Sequence, residues 1–136
     1  MDQTNASAPL ELPWPDGLVA QAANQAGDAI IAIDRQGRIV FWNRHCEQLF
    51  GHRTQDVLGE SVSVMIPERL RAAHDAGFER AMDQGRLSSD GKARRTKALR
   101  PDGSSAYVEM TFAVVTDEKG EAIGSVAVAR EWVRDK

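Results

Sequence analysis

Between Pro67 and Gly85 one residue breaks the rule that its neighbours obey. Leu70, Ala73, Gly77, Phe78, Ala81 and Met82 recur at helical spacing and define a single apolar face. Pro67 suits the first helical position, Glu68 the positive end of the helix dipole, and Gly85 the exit. Glu68, Arg71, Asp75, Glu79 and Asp83 fall off the apolar face, but His74 falls in the middle of it. A helix with one apolar stripe has to lie on something flat. Most of the remaining chain reads as short strands and turns that can supply such a surface.

Two readings of His74 stay open on spacing alone. It is a half-buried histidine bonded to backbone or water, or it is an axial ligand to haem iron. The second needs a neutral imidazole at the wall of an apolar cavity, with small neighbours that let a porphyrin approach. Ala73, Gly77 and Ala81 provide that space.

Residues 1–12 are polar and read as a flexible N-terminus, and residues 13–26 as a flanking helix with Asp16 as its cap. Leu18, Val19, Ala22, Ala23 and Ala26 give that helix a stripe too narrow to stand alone, so it packs on the domain or on a second copy. Residues 27–134 form the main domain. Ala29 to Ile33 and Arg38 to Trp42 read as a hairpin across Gln36-Gly37. Asn43 can cap a helix whose buried face is Cys46, Leu49 and Phe50. A further short turn should bury Val57 and Leu58. After a polar loop at 86–91 come three strands, from Lys92 to Leu99, Ser105 to Val115 and Glu121 to Trp132. The turns between them are at Arg100-Pro101-Asp102-Gly103 and Asp117 to Gly120. Val108, Met110, Phe112 and Val114 share one face of the middle strand, and Ile123, Val126 and Val128 are the apolar content of the last. The fold class is α+β: a five-stranded antiparallel sheet with helices on one face.

The 136 residues, 42% hydrophobic, suit one such domain. A net charge of −3 gives no electrostatic case for nucleic acid. No apolar run approaches the roughly 20 residues of a membrane span. Residues 1–9 lack the basic start and greasy middle of a signal peptide, so the expected location is cytoplasmic. Cys46, the single cysteine, reads as a buried structural thiol, and His45 and His52 as exposed. No nucleophile–base pair, phosphate-cradling glycine loop or carboxylate pair stands out, so no catalysis is expected.

Asp28 to Asp34, Gly37 to Asn43, Glu47 to Gly51, Gly59, Pro67 and the Arg100 to Ser104 turn together resemble the PAS domain family over roughly residues 17–132. The resemblance implies a sensory or interaction module, not an enzyme, often dimeric through its N-terminal helix, here residues 13–26. It normally signals to a kinase or other output partner, which these residues do not identify. Ile66 to Arg71, His74-Asp75, Arg80 and Gly85 are similar to the ligand helix of the haem-binding, oxygen-sensing PAS domains of the FixL type. That narrower resemblance implies haem b with His74 as proximal ligand and Arg80 near a propionate. Arg94 would contact a diatomic gas (O2, CO or NO), with Met110 and Phe112 walling the distal side. Leu70, Gly77 and Phe78 complete the candidate cofactor-binding set. The sequence departs from the group at Ser88 and Ser89, where it has a basic and an apolar residue, and at Gly77, where it has an aromatic one. Met110 and Phe112 are bulkier than its usual aliphatic walls. A charge such as Arg94 on a strand is usually solvated; it should face the cavity with haem present and point outward without it. The alternative reading is a haem-free module for dimerisation or for another small ligand. A flavin photosensor is disfavoured, because Cys46 lacks the surrounding motif.

Overall fold

The computed structural model describes residues 17–86 and 91–133. Helix α1 spans Leu18–Gln25, and the hairpin strands β1 and β2 span Ala29–Asp34 and Ile39–Trp42. Helices α2 (Arg44–Phe50) and α3 (Thr54–Val57), a 3-10 turn (Val62–Met65) and the long α4 (Glu68–Gln84) follow. Strands β3 (Arg94–Leu99), β4 (Ser105–Thr116) and β5 (Ala122–Glu131) complete the chain. The expected helix start at residues 13–16 and most of the 86–91 loop lie outside the described residues.

The hairpins form where aspartates capture the turn backbone. Asp34 Oδ1 accepts from Gln36 N and Arg38 N, and Asp117 Oδ1 from Lys119 N and Glu121 N. Gly37 and Gly120 close these turns at φ of 80° and 84°, a left-handed conformation that side chains resist. The sheet runs β2-β1-β5-β4-β3, every pair antiparallel, so the first and last strands meet in its centre. The helices between β2 and β3 cross one face. This is the five-stranded antiparallel sheet expected from the pattern, with the flanking N-terminal helix present as α1.

The core is lopsided. Under α2, Phe50 packs on Trp42 at 5.5 Å between ring centroids, joined by Cys46, Leu49 and Val57. A large side chain fully buried there stabilises the fold by about 1.5–3 kcal/mol. Helix α4 buries only Ala81 and Met82 of its 17 residues. The sheet beneath it is lined by small side chains, because β5 turns Ser125, Ala127 and Ala129 inward while Val126 and Val128 lie on the opposite face. Ile123, expected as apolar filling, is exposed, and so is Leu58, where α3 buries Val57 alone.

Two residues hold the geometry. Asn43 is fully buried, with every amide atom in use. Its Oδ1 accepts from Ile30 N (3.0 Å) and Cys46 N (3.2 Å), and its Nδ2 donates to Ala23 O and Asp28 O (both 2.9 Å). It therefore caps α2 as expected and also pins the α1–β1 connection. Gly124 lies so close to β1 that a Cβ there would clash with the Ile33 carbonyl oxygen. We expect Asn43→Ala to lower unfolding free energy by about 3–5 kcal/mol, because the polar backbone groups it serves are left buried and unpaired. Gly124→Ala should cost about 3 kcal/mol through backbone displacement. Urea unfolding followed by circular dichroism measures both, with exposed Gly120→Ala as the turn-only comparison.

Candidate functional site

The thin packing between α4 and the sheet leaves a cavity of about 250 Å3. One wall is the inner side of α4: Leu70, Ala73, His74, Gly77, Phe78 and Ala81. The opposite wall is the sheet, with Ile31 and Ile33 from β1, Ser125 and Ala127 from β5, Met110 and Phe112 from β4, and Arg94, Thr96 and Ala98 from β3. Val62, Met65 and Ile66 close one end. Seven of the eight residues singled out in the sequence thus line one space: Leu70, His74, Gly77, Phe78, Arg94, Met110 and Phe112. Arg80 does not line it. It is exposed on α4, with a guanidinium nitrogen 3.9 Å from where a Cβ on Gly77 would lie.

His74 is oriented by its own helix. Its Nδ1 lies 3.2 Å from Asp75 Oδ1, and its ring stacks on Phe78 one turn later, centroids 6.2 Å apart and planes within 5°. With the proton on Nδ1 the bond is donated to the carboxylate, and Nε2 keeps its lone pair. No described residue hydrogen-bonds Nε2. The side chain is 30% exposed, so the imidazole sits at the cavity rim rather than deep within it.

Arg94 resolves differently from either expectation. It pairs with Met110 across β3–β4 and shares the inward face, yet it stands at the first position of the strand, where the cavity opens to solvent. An inward arginine is tolerable there because water reaches its charge. Among the described residues it has no hydrogen bond or ion pair. The small residues Ser125, Ala127 and Ala129 are what the sequence reading missed. Their signal was present as an alternation of small and β-branched residues on β5, in which the small set faces the helices.

The other candidates resolve simply. Among the described residues no group of three or more His, Cys, Asp or Glu could hold a metal ion. His52, expected to be exposed, is half-buried: its Nε2 is 2.9 Å from Leu99 O, and Trp42 Nε1 donates to its carbonyl. His45 is half-buried as well. Glu47 Oε2 accepts from Thr54 N and Oγ1, and those two bonds hold its carboxyl below the usual range. Cys46 is buried away from the cavity, with Sγ 3.3 Å from Ile30 O. No described helix is long and apolar enough to cross a membrane.

Comparison with known proteins agrees with this fold. The family described as PAS fold matches residues 17–131. The oxygen sensor protein DosP of Escherichia coli is 25% identical over 103 residues, covering 76% of this chain and 13% of that protein. The sensor protein FixL of Bradyrhizobium diazoefficiens is 31% identical over 85 residues, covering 62% and 17%. The chain therefore spans less than a fifth of either curated relative. Among solved structures, a light-oxygen-voltage domain studied with a flavin analogue superposes with a TM-score of 0.65 at 16% identity, covering 87% of each chain.

Burial pushes the Cys46 thiol up to about 12. A raised acidic pKa means that its contribution to stability is whole below the unfolded value of 9.0 and is lost as pH rises toward 12. Native protein should therefore react with a thiol reagent at pH 8 at least 100-fold more slowly than urea-unfolded protein. The stability difference between wild type and Cys46→Ala should shrink steadily above pH 9, measured by urea melts at stepped pH.

Proposed function

The chain belongs to the PAS-fold family of sensory domains, and from that premise we propose that it binds haem b through His74 and senses a diatomic gas (O2, CO or NO) in signal transduction. The observation that carries this reading is the Asp75–His74 pair at the cavity wall. With Nδ1–H donated to the carboxylate, the ring is oriented and Nε2 is left free as the donor, which is how proteins prepare an imidazole for iron. The surroundings fit the group. Ala73, Gly77 and Ala81 let a flat ring approach α4, Leu70 and Phe78 offer apolar contact, and Met110 and Phe112 face them from the sheet. Arg80 stands outside the cavity, suited to a propionate at its rim. When bound, haem supplies an iron with a position open to a gas ligand. The chain's part is to hold His74 through Asp75, to exclude water with Met110 and Phe112, and to offer the Arg94 cation, which has no side-chain partner among the described residues, for a charge-assisted hydrogen bond. The relatives named as an oxygen sensor and a sensor protein support the same direction.

One observation favours the second reading, a haem-free module that binds a smaller ligand or a protein partner. A cavity of about 250 Å3 lies below the roughly 300–1,000 Å3 of pockets for drug-sized ligands. Haem would have to displace Phe78 or lift α4, and α4, with two buried residues, is the element best able to move. The fold is shared with a light-oxygen-voltage domain, but Cys46 does not line the cavity, which argues against a flavin photosensor.

The proposal includes a cytoplasmic homodimer through residues 13–26, coupled to a kinase or other output partner. Helix α1 supports it: none of its residues is buried, and Val19 is 78% exposed.

Titration with haemin, read oxidised, reduced and reduced under carbon monoxide, tests the main claim. We expect a sharp Soret band that shifts with carbon monoxide, vanishes in His74→Ala, and requires about 10–100-fold more haemin in Asp75→Asn. A broad band like that of free haemin would leave the second reading. Sedimentation velocity should place Val19→Glu at the monomer position if α1 carries the dimer contact.

A further inference from the structure

The sheet has two edges, and the chain covers one of them itself. Along β2, Ile39 N donates to Glu60 O and Gly59 N to Ile39 O, both at 2.8 Å, and Arg38 bridges to Ser61. The other edge is β3, which pairs with β4 alone. Across the β3–β4 turn Arg100 N donates to Ser104 O at 2.9 Å. Antiparallel alternation then bonds Ala98, Thr96 and Arg94 to Ala106, Val108 and Met110, and turns the N–H and C=O groups of Leu99, Lys97 and Arg95 to the open side. Two contacts agree with that phase. Trp132 N donates to Tyr107 O, opposite Lys97, from the β5 side at 2.9 Å, and His52 Nε2 lies 2.9 Å from Leu99 O. The Leu99 carbonyl is therefore taken. Among the described residues, no hydrogen bond reaches the outward backbone groups of Lys97 and Arg95.

This open edge is basic. From Gly91 to Arg100 the chain carries five cations, Lys92, Arg94, Arg95, Lys97 and Arg100, and no carboxylate, although the protein as a whole stands at −3. Arg95 Nε lies 3.4 Å from Glu109 Oε2, and Arg100 donates to Ser105 O. Lys97 Nζ sits 5.7 Å from the centroid of the Tyr107 ring. Lys92, Arg94 and Lys97 have no carboxylate partner among the described residues. A second copy of β3 laid along the edge would set cation beside cation, which cross-strand pairing penalises. An acidic strand meets no such cost. The two sides of an added strand would also differ: one lies beside Arg95 and Lys97 on the outer face, the other beside Thr96 and Ala98 at the cavity wall. We propose that the free edge of β3 is a docking site for an extended segment of a partner protein, alternating acidic and apolar residues, which adds to the sheet as a sixth strand. Main-chain bonds to Arg95 and Lys97 hold it. Its carboxylates sit on the outer face, and its apolar side chains lie along the cavity mouth. The inference goes beyond the gas-sensing reading and does not depend on it.

The test uses the full chain, labelled with 15N and free of haemin. Its probe is an end-blocked peptide of alternating glutamate and valine, about eight residues long. We expect the peptide to shift the Arg95 and Lys97 amide resonances and to slow their hydrogen exchange about 10-fold, while the amides of β2 stay in place. The same peptide N-methylated throughout keeps its charge but loses every backbone donor, and should bind at least about 10-fold more weakly. Joint replacement Arg95→Gln and Lys97→Gln should weaken the unmethylated peptide about 10-fold and flatten its salt dependence. Should that variant lose its fold, the methylated peptide decides the matter on wild type alone. No response at Arg95 and Lys97 up to about 1 mM peptide overturns the inference. So does equal binding of the methylated peptide, or equal shifts from an oligothymidylate, since either would mark a patch of charge and not a strand site. Protection of the two amides that grows with the concentration of the free protein would put a second copy on the edge, and that also overturns it.

Discussion

A single buried amide sets the relation between three parts of this chain. Asn43 joins the end of α1, the start of β1 and the first turn of α2, and each of its four hydrogen bonds goes to backbone. In a dry site an amide with all its valences used is rigid, because any rotation strands a donor or an acceptor. The consequence spreads outward. With α2 fixed, Phe50 meets Trp42 and the apolar plug forms over β1 and β2. With β1 fixed, β5 can come close enough for Gly124 to touch the Ile33 carbonyl, and the centre of the sheet is set.

From that fixed half the other half hangs more loosely. Helix α4 is nearly as long as the other helices together, yet it reaches the sheet through few side chains. The row of alanines beneath it supplies no bulk to fill the gap. Packing is therefore dense where the fold needs a foundation and sparse where a ligand can enter, and the boundary between the regimes runs between Met65 and Leu70. The polar groups at the cavity, His74 and Arg94, both sit at its rim, where solvent still reaches them.

Much of this was legible in the residues. The aspartate-glycine turns, the asparagine cap and the α4 stripe each carry a local signal strong enough to survive tertiary packing. Helical period placed His74 on the apolar face of α4, whereas the line-up of Arg94, Met110 and Phe112 on the same space was implied only by the family resemblance, since alternation left the facing of Arg94 open. What was not legible depended on partners distant in sequence. That β5 would run between β1 and β4 fixes the cavity floor as alanine and serine, and nothing local to β5 says which of its faces will be covered. Leu58 and Ile123 read as core by hydrophobicity, but Leu58 caps the end of the four-residue α3 and Ile123 stands at the start of β5, and both are exposed. His52 was misjudged because its partner, the Leu99 carbonyl, is 47 residues away.

The central pairing of β1 with β5 has a mechanical consequence. Ala29 lies opposite Ala129, so the chain enters and leaves the sheet side by side, within about 5 Å as antiparallel partners do. Tension applied between those two points does not shear the strands along their length. It loads the Arg130–Asp28 ion pair first and then opens the ladder one rung at a time from that end, a low-force route. Pulled in this direction, the domain would unzip from the middle of its sheet while the hairpins on either side remained intact.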